Sequence, residues 1–331
     1  MKIFKENDVD LSLIKSKNIA IIGYGNQARA QALNLNDSGV SNIVVGLRGG
    51  SPSLEKAHKD GLKTKGLRET ASWADVIMML APDEVHGEIY ENHIKNNMKE
   101  GSAIGFSHGF SIRFDLVKPR EDIDVIMIAP KGPGHTLRQL YLKGFGMPSL
   151  IGVEQDVTGK AEKIALSYAG GIGSHKAGIL KSSFAEECES DLFSEQTILC
   201  GGMPALIKAG FETLVEEGFS PEVAYIECLH EVKQIADLLW EGGYEKMANS
   251  ISNTAEYGGY LAGDAIVTDD IKLAMKQNLK NVRAGVFAKF FMDDVKTGSK
   301  DLKYRRKKNI DHPIENAGKT VREMMPWLGK N

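Results

Sequence analysis

The first half of the chain alternates short runs of β-branched and aliphatic residues with helix-length amphipathic stretches. Residues 18–23 (NIAIIG), 42–47 (NIVVGL), 75–80 (DVIMML), 102–106 (SAIGF) and 124–129 (DVIMIA) are almost continuously apolar. Strands buried on both faces of a parallel sheet have this pattern. Helical spacing fits between them, over 27–37 and 84–97. Such alternation predicts a doubly wound α/β domain. From Phe184 to Trp327 the period changes: Val223, Ile226, Leu229, Val232 and Leu239 recur at helical spacing, and no strand pattern stands out. The expectation is a sheet domain over 1–181 and an all-helical domain over 182–331, without a low-complexity linker. Gly201-Gly202, Gly242-Gly243 and Gly258-Gly259 read as helix breaks or close backbone contacts.

Composition narrows the class. The 331 residues are 42% hydrophobic and 26% charged, enough to bury the core of a two-domain globular protein. A net charge of −3 gives no general reason to expect nucleic acid or an anionic membrane as partner. Cys188, Cys200 and Cys228 show neither an even count nor zinc spacing, and read as buried free thiols in a reducing compartment. The charged start lacks a signal peptide's apolar run, and no stretch approaches the length of a membrane span. The expected location is therefore cytoplasmic.

Gly23-Tyr24-Gly25-Asn26-Gln27-Ala28 follows the first strand and opens the first helix. The first glycine permits a tight turn, and the second lets backbone approach a pyrophosphate at the helix N-terminus. In that strand–turn–helix setting the pattern points to a dinucleotide. An NAD site usually places a carboxylate at the end of the second strand, to hold the ribose 2′-hydroxyl. Here the segment is Gly46-Leu47-Arg48-Gly49-Gly50-Ser51-Pro52-Ser53, and Arg48, Ser51 and Ser53 offer charge and hydroxyls to a 2′-phosphate. That favours NADPH, with Glu55 just beyond keeping NADH open.

Asp191 and Glu195 lie four apart and share a helix face, Glu187 extends the stripe, and Glu227 and Glu231 repeat the spacing. Like charges so placed repel unless a cation sits nearby. Carboxylates without Cys or paired His ligands suit Mg²⁺ rather than zinc. Leu192, Phe193, Ile198, Leu199 and Cys200 surround the first pair, so this segment is expected to be largely buried, and no Lys or Arg lies between Phe184 and Ile207. Buried carboxylates need partners, and a metal would answer that need. Two loops, Ser107-His108-Gly109 and 129–135 with Lys131 and Gly134, project from the carboxyl ends of strands, where such sheets bind ligands.

The stretches GYGNQARAQALNLNDSGV, LAPDEVHGEIY, FSHGF, APKGPGHTLR, ESDLFSEQTILCGG, AYIECLHE and SISNTAEYG run in this order from Gly23 to Gly258. Together they resemble ketol-acid reductoisomerase (acetohydroxy acid isomeroreductase) of the short, class I type. The resemblance implies a Rossmann-type nucleotide domain and a knotted helical domain. The implied reaction converts 2-acetolactate and 2-aceto-2-hydroxybutanoate to 2,3-dihydroxy acids of valine and isoleucine synthesis, with NADPH and two Mg²⁺. It implies Asp191, Glu195, Glu227 and Glu231 as metal ligands, His108 as an active-site residue and Ser252 as a substrate contact. Nucleotide contacts fall on Tyr24, Gly25, Asn26, Gln27, Arg48, Ser51, Ser53, Asp83, Glu84, Val85, His86 and Gly134. It also implies a homodimer or higher homo-oligomer with interlocked helical domains. Ala28-Arg29, Ser194 and Ser174-His175-Lys176 depart from the family pattern, and Arg29 bears on cofactor affinity.

In the expected mechanism, loss of the substrate's hydroxyl proton drives an alkyl shift to the adjacent carbonyl carbon, and hydride then reduces the new ketone. Asp191 bridges the ions, Glu195 is a ligand that also relays protons, and Lys131 and His108 orient water or stabilise charge. Two other readings remain: a metal-free NAD(P)-dependent 3-hydroxyacid dehydrogenase, and a non-catalytic NADPH-binding regulator.

Overall fold

The structure, a computed structural model, describes residues 2–328. Met1 and positions 329–331, the ends of the two expected domains, lie outside the described residues. The chain divides into two compact units, Met1–Ser190 and Asp191–Asn331.

The first unit is built on nine strands: β1 (Ile3–Phe4), β2 (Ile19–Ile22), β3 (Ile43–Leu47), β4 (Lys63–Gly66), β5 (Val76–Met79), β6 (Ala103–Phe106), β7 (Asp124–Pro130), β8 (Ser149–Gln155) and β9 (Ile179–Lys181). They lie in the order β1-β9-β8-β7-β6-β5-β2-β3-β4. The six strands from β4 to β7 run parallel, and all five strands foreseen in the sequence are among them. Alternate residues explain their continuous hydrophobicity. Ile19 and Ile21 of β2 enter one core with Ala28, Ala32, Leu35 and Tyr168, while Ala20 and Ile22 enter a second with Ile77, Met79, Ile104 and Phe106. Both faces are thus covered, as in any buried parallel sheet.

The sheet is larger than the apolar runs suggested, and it is mixed. β8 pairs antiparallel with β7, and β1 antiparallel with β9. β4 (KTKG) escapes notice because it is a polar, half-exposed edge strand, the kind of edge that discourages pairing with another chain. β1 and β9 are too short to carry a period. The predicted helix over 84–97 is a 3₁₀ turn Asp83–Val85, an α segment His86–Ile89 and a π segment Tyr90–Ile94.

The second unit contains only helices among its described residues. A small core joins Phe211, Ala224 and Tyr225 to Ile314, Ala317 and Val321. Gly201 precedes the helix Gly202–Glu216, and Gly242-Gly243 kinks Val232–Ser250, with Gly243 at φ 68°. Gly258-Gly259 is neither a break nor a close contact: it runs inside the helix Asn253–Ile266 with open space around both Cα atoms.

Two further expectations need correction. The helical run Phe184–Glu216 continues for 33 residues through Gly201-Gly202 and is, by length and composition alone, long and apolar enough to cross a membrane. Little of it is buried: Ile198, Leu199 and Cys200 are exposed, and Leu192 is buried. This apolar surface is not absorbed by the small core of its own unit, so apolar sequence does not translate into burial within one chain. Cys188 is a buried free thiol as expected, whereas Cys200 is exposed and Cys228 half-buried.

Candidate active site

Parallel strands deliver their carboxyl ends to one edge of the sheet, and β2 is the strand where the chain order reverses, with β3 on one side and β5 on the other. Ligands bind at such switch points. The turn after β2 has Gly23 at φ +93°, and a Cβ there would stand 2.8 Å from the Ala81 nitrogen. Only glycine meets both the conformation and the contact. Gly25 then caps the helix Asn26–Asp37 with no side chain bonded to its first amides, leaving those N–H groups open to an anion. Gly134 is fitted against this turn: a Cβ on it would lie 2.3 Å from the Asn26 carbonyl oxygen. Gln27 Nε2 donates to the Gly132 carbonyl at 2.8 Å, joining the turn to the loop after β7.

A cavity of about 780 Å³ opens here. Its wall includes Gly23, Tyr24, Gly25, Asn26, Gln27, Arg48, Ser51, Ser53, Asp83, Val85, His86 and His108, bringing most of the sequence-predicted cofactor residues together. Glu84 and Gly134 are not on that wall. Leu67, Glu88, Ile89 and His93 are, and sequence reasoning missed them. Leu67 opens the helix after a strand too polar to notice.

At the other end of the wall, His108 Nδ1 donates to Asp83 Oδ2 at 3.0 Å. Burial alone would lower the imidazole's pKa. The Asp83 hydrogen bond, the Cys188 thiol and the charges of Asp83 and Glu187 outweigh it and lift His108 well above its usual value. His86 behaves oppositely. Burial holds it below the usual value despite Asp83 nearby. Its Nε2 faces the Ala81 carbonyl at 2.8 Å, so that nitrogen carries the proton, and Nδ1 accepts from the Ser111 hydroxyl at 2.8 Å. His86 is thus a neutral strut, with both nitrogens engaged in holding the loop.

Glu187 is 1% exposed and holds two separate pieces of this edge. One carboxylate oxygen accepts from Lys131 Nζ at 2.6 Å, the other from the Gly109 backbone N–H at 2.8 Å. The helix Phe184–Ser194 therefore tethers both loops seen in the sequence. Its four-residue spacing from Asp191 was the only sequence signal of this role.

In the second unit the acidic pairs are arranged differently from expectation. Asp191 is half-buried, while Glu195, Glu227 and Glu231 are exposed, so the argument from buried carboxylates does not hold within one chain. Among the described residues, no group of three or more His, Cys, Asp or Glu side chains could hold a metal ion. Glu195 opens a π-helical turn, Glu195–Leu199, and Glu227 lies in another, Ile226–His230, that ends at Glu231. Such turns are rare and concentrate at functional sites. Ser252 is the N-cap of Asn253–Ile266, its hydroxyl oxygen accepting from the Ala255 amide at 3.2 Å.

A glycine turn at the switch point of a doubly wound sheet, with a cavity running from a helix N-terminus to the imidazole of His108, defines a nicotinamide-dinucleotide oxidoreductase. Residues 13–178 match the acetohydroxy acid isomeroreductase NADPH-binding domain, and residues 184–327 the ketol-acid reductoisomerase C-terminal domain. The chain belongs to the ketol-acid reductoisomerase family, and its activity is that of a ketol-acid reductoisomerase. It is similar to the structure of an NADH-preferring ketol-acid reductoisomerase from an uncultured archean, at 46% identity and a TM-score of 0.96, over 98% of this chain and 100% of that one. Two more distant structures share the fold alone. A pyrroline-5-carboxylate reductase from Coxiella burnetii has 16% identity and a TM-score of 0.59, over 81% of this chain and 98% of that one. A semialdehyde dehydrogenase NAD-binding protein from Cupriavidus necator has 18% identity and a TM-score of 0.59, over 81% and 99%.

Proposed function

We propose that the enzyme uses NADPH and Mg²⁺ to convert 2-acetolactate to 2,3-dihydroxy-3-methylbutanoate, and 2-aceto-2-hydroxybutanoate to 2,3-dihydroxy-3-methylpentanoate, in the cytoplasm. The observation that carries the cofactor choice is Arg48, Ser51 and Ser53 together on the cavity wall, with Glu55 exposed on the helix beyond. A guanidinium and two hydroxyls suit a 2′-phosphate. The archaeal relative is described as NADH-preferring, so cofactor choice is a property to be tested on this chain.

The metal reading rests on donor chemistry. Asp191, Glu195, Glu227 and Glu231 supply only oxygen, as Mg²⁺ prefers, and two of them sit in π turns. We assign the pairs to one composite site completed by a second copy of the chain. Trp240 and Tyr244 are 83% and 82% exposed, and Ile198, Leu199 and Leu206 are about half exposed. Apolar surface of this extent marks an interface.

When bound, the cations supply Lewis acidity and the nucleotide a hydride. The chain's own residues do the rest. A methyl or ethyl group moves from C2 to the C3 carbonyl carbon as the C2 hydroxyl loses its proton, and the resulting C2 ketone is the group reduced. Lys131, held by Glu187, and His108, held by Asp83, place positive charge beside oxygens that become anionic. Ser252 contacts the substrate.

The test is loss of reduced-nicotinamide absorbance with 2-acetolactate, comparing NADPH with NADH and Mg²⁺ with EDTA. Turnover that requires Mg²⁺ and prefers NADPH is expected. Equal rates with NADH would remove the role given to Arg48, Ser51 and Ser53, and turnover surviving EDTA would remove the metal reading. Sedimentation equilibrium should show a dimer or larger; a monomer that turns over would overturn the composite site.

A further inference from the structure

Arg29 stands where the family pattern has a different residue, and the structure shows what it does. Its guanidinium grips Asp60 with both arms, Nε to Oδ2 at 2.6 Å and the terminal nitrogen to Oδ1 at 2.7 Å. The Tyr24 hydroxyl donates to the same Oδ2 at 2.9 Å. Asp60 is half-buried, its side chain 13% exposed, and Arg29 holds its carboxyl below the usual carboxylate range. Burial and Asp60 together push the Tyr24 phenol up, so it stays a neutral donor.

This cluster joins three pieces of the nucleotide site. Tyr24 belongs to the glycine turn and to the cavity wall. Arg29 lies in the first turn of Asn26–Asp37, the helix whose N-terminus faces the cavity. Asp60 closes the helix Ser53–Lys59, which begins at the cavity-lining Ser53. A carboxylate one tyrosine ring behind the wall of an anion site would oppose the pyrophosphate, and would oppose a 2′-phosphorylated nucleotide more. The bidentate arginine removes that opposition and pins the wall at once.

We propose that Arg29 is a specificity-determining positioning residue that masks the Asp60 carboxylate, so that the cavity accepts a polyanionic nucleotide. The inference rests on the cavity being the nicotinamide-nucleotide site, and it is independent of the metal and of which acetohydroxy acid reacts. Arg48, Ser51 and Ser53 would touch the nucleotide; Arg29 acts on it through Asp60 and Tyr24.

The experiment titrates NADPH and NADH fluorescence with the full chain and its Arg29→Met, Arg29→Lys, Asp60→Asn and Arg29→Met/Asp60→Asn variants, at low and high salt. Arg29→Met, which unmasks the half-buried Asp60 charge, should raise the NADPH dissociation constant about tenfold and the NADH constant by less. Adding Asp60→Asn should recover most of that loss, because it removes the unmasked charge while Tyr24 keeps an acceptor. Arg29→Lys, which keeps the charge, should stay within about threefold of the parent. The Arg29→Met defect should shrink at high salt. With 2-acetolactate turnover, KM for NADPH should rise while kcat holds. A double variant no better than Arg29→Met, or an Arg29→Lys defect as large as that of Arg29→Met, would show that packing rather than charge is at work and overturn the proposal. If Arg29→Met does not fold, the Arg29→Lys and Asp60→Asn titrations decide: a tenfold NADPH defect in either contradicts charge masking. Equal NADPH and NADH affinity in the parent would sink the Arg48, Ser51 and Ser53 assignment, and would leave the Arg29 comparison readable with either nucleotide.

Discussion

The two units reach a functional surface by opposite routes. In the first, strand ends, a glycine turn and hydrogen-bonded side chains such as Asp83 and His86 form the cavity within one chain. In the second, Glu195, Glu227 and Glu231 are exposed and Asp191 is half-buried, and Ile198 and Leu199 beside Glu195 are exposed as well. A nucleotide site can be finished by local geometry, because a strand–turn–helix segment brings its own amides to one point. A cation site needs several carboxylates converging against mutual repulsion, and that takes groups from more than one segment. The contrast predicts that nucleotide binding and metal-dependent chemistry can be separated.

The largest separation should come from Asp191→Asn. Turnover should fall by about a thousandfold or more while the NADPH dissociation constant stays within about twofold. Isomerisation retained in that variant, followed by product analysis, would end the metal assignment. Arg48→Ala should act in the opposite unit, raising the NADPH dissociation constant about tenfold to a hundredfold and leaving NADH nearly unchanged. Comparable losses for both nucleotides would show that Arg48 contacts the shared part of the molecule.

Glu187→Gln keeps the shape of the tether and removes its charge. Lys131 would lose its ion-pair partner, and kcat should drop about tenfold with little change in nucleotide affinity. The unfolding free energy should fall by about 1–3 kcal/mol, because a buried group loses part of its hydrogen bonding. An unchanged kcat in the folded variant would leave Glu187 a purely structural residue.

The smallest effect is the pH response of Asp83→Asn. His108 binds its proton more tightly folded than unfolded, so the Asp83 pair stabilises the fold fully below about pH 6.5, the unfolded value. That contribution is lost as pH rises through the higher folded value. Urea midpoints measured across that window should decline in the parent, and Asp83→Asn should flatten the decline. A slope that persists in the variant would assign it to other groups.

Different parts of the site were legible to different degrees. The glycine turn could be read directly, since Gly23 answers a backbone demand that any sequence with that turn must meet. Arg48, Ser51 and Ser53 follow a recognisable strand, and all three line the cavity. The Asp83–His108 and Lys131–Glu187 pairs could not be read as pairs, because 25 and 56 residues separate the partners. Arg29 could be seen as unusual, but only the structure shows Asp60 in its grip. The acidic spacing was visible, whereas the burial inferred from its apolar neighbours was wrong for a single chain.

By itself, the sequence determined what local physics enforces: continuous apolar strands that demand cover on both faces, a turn open only to glycine, helical spacing through the second half, and carboxylates one turn apart. Only the tertiary structure decided the mixed nine-stranded sheet, the opposite pKa shifts of His86 and His108, and the Glu187 tether. These depend on groups brought together by chain closure, and the protonation of the two imidazoles depends on how burial and neighbouring charge balance at each ring. No periodicity along the chain encodes that balance.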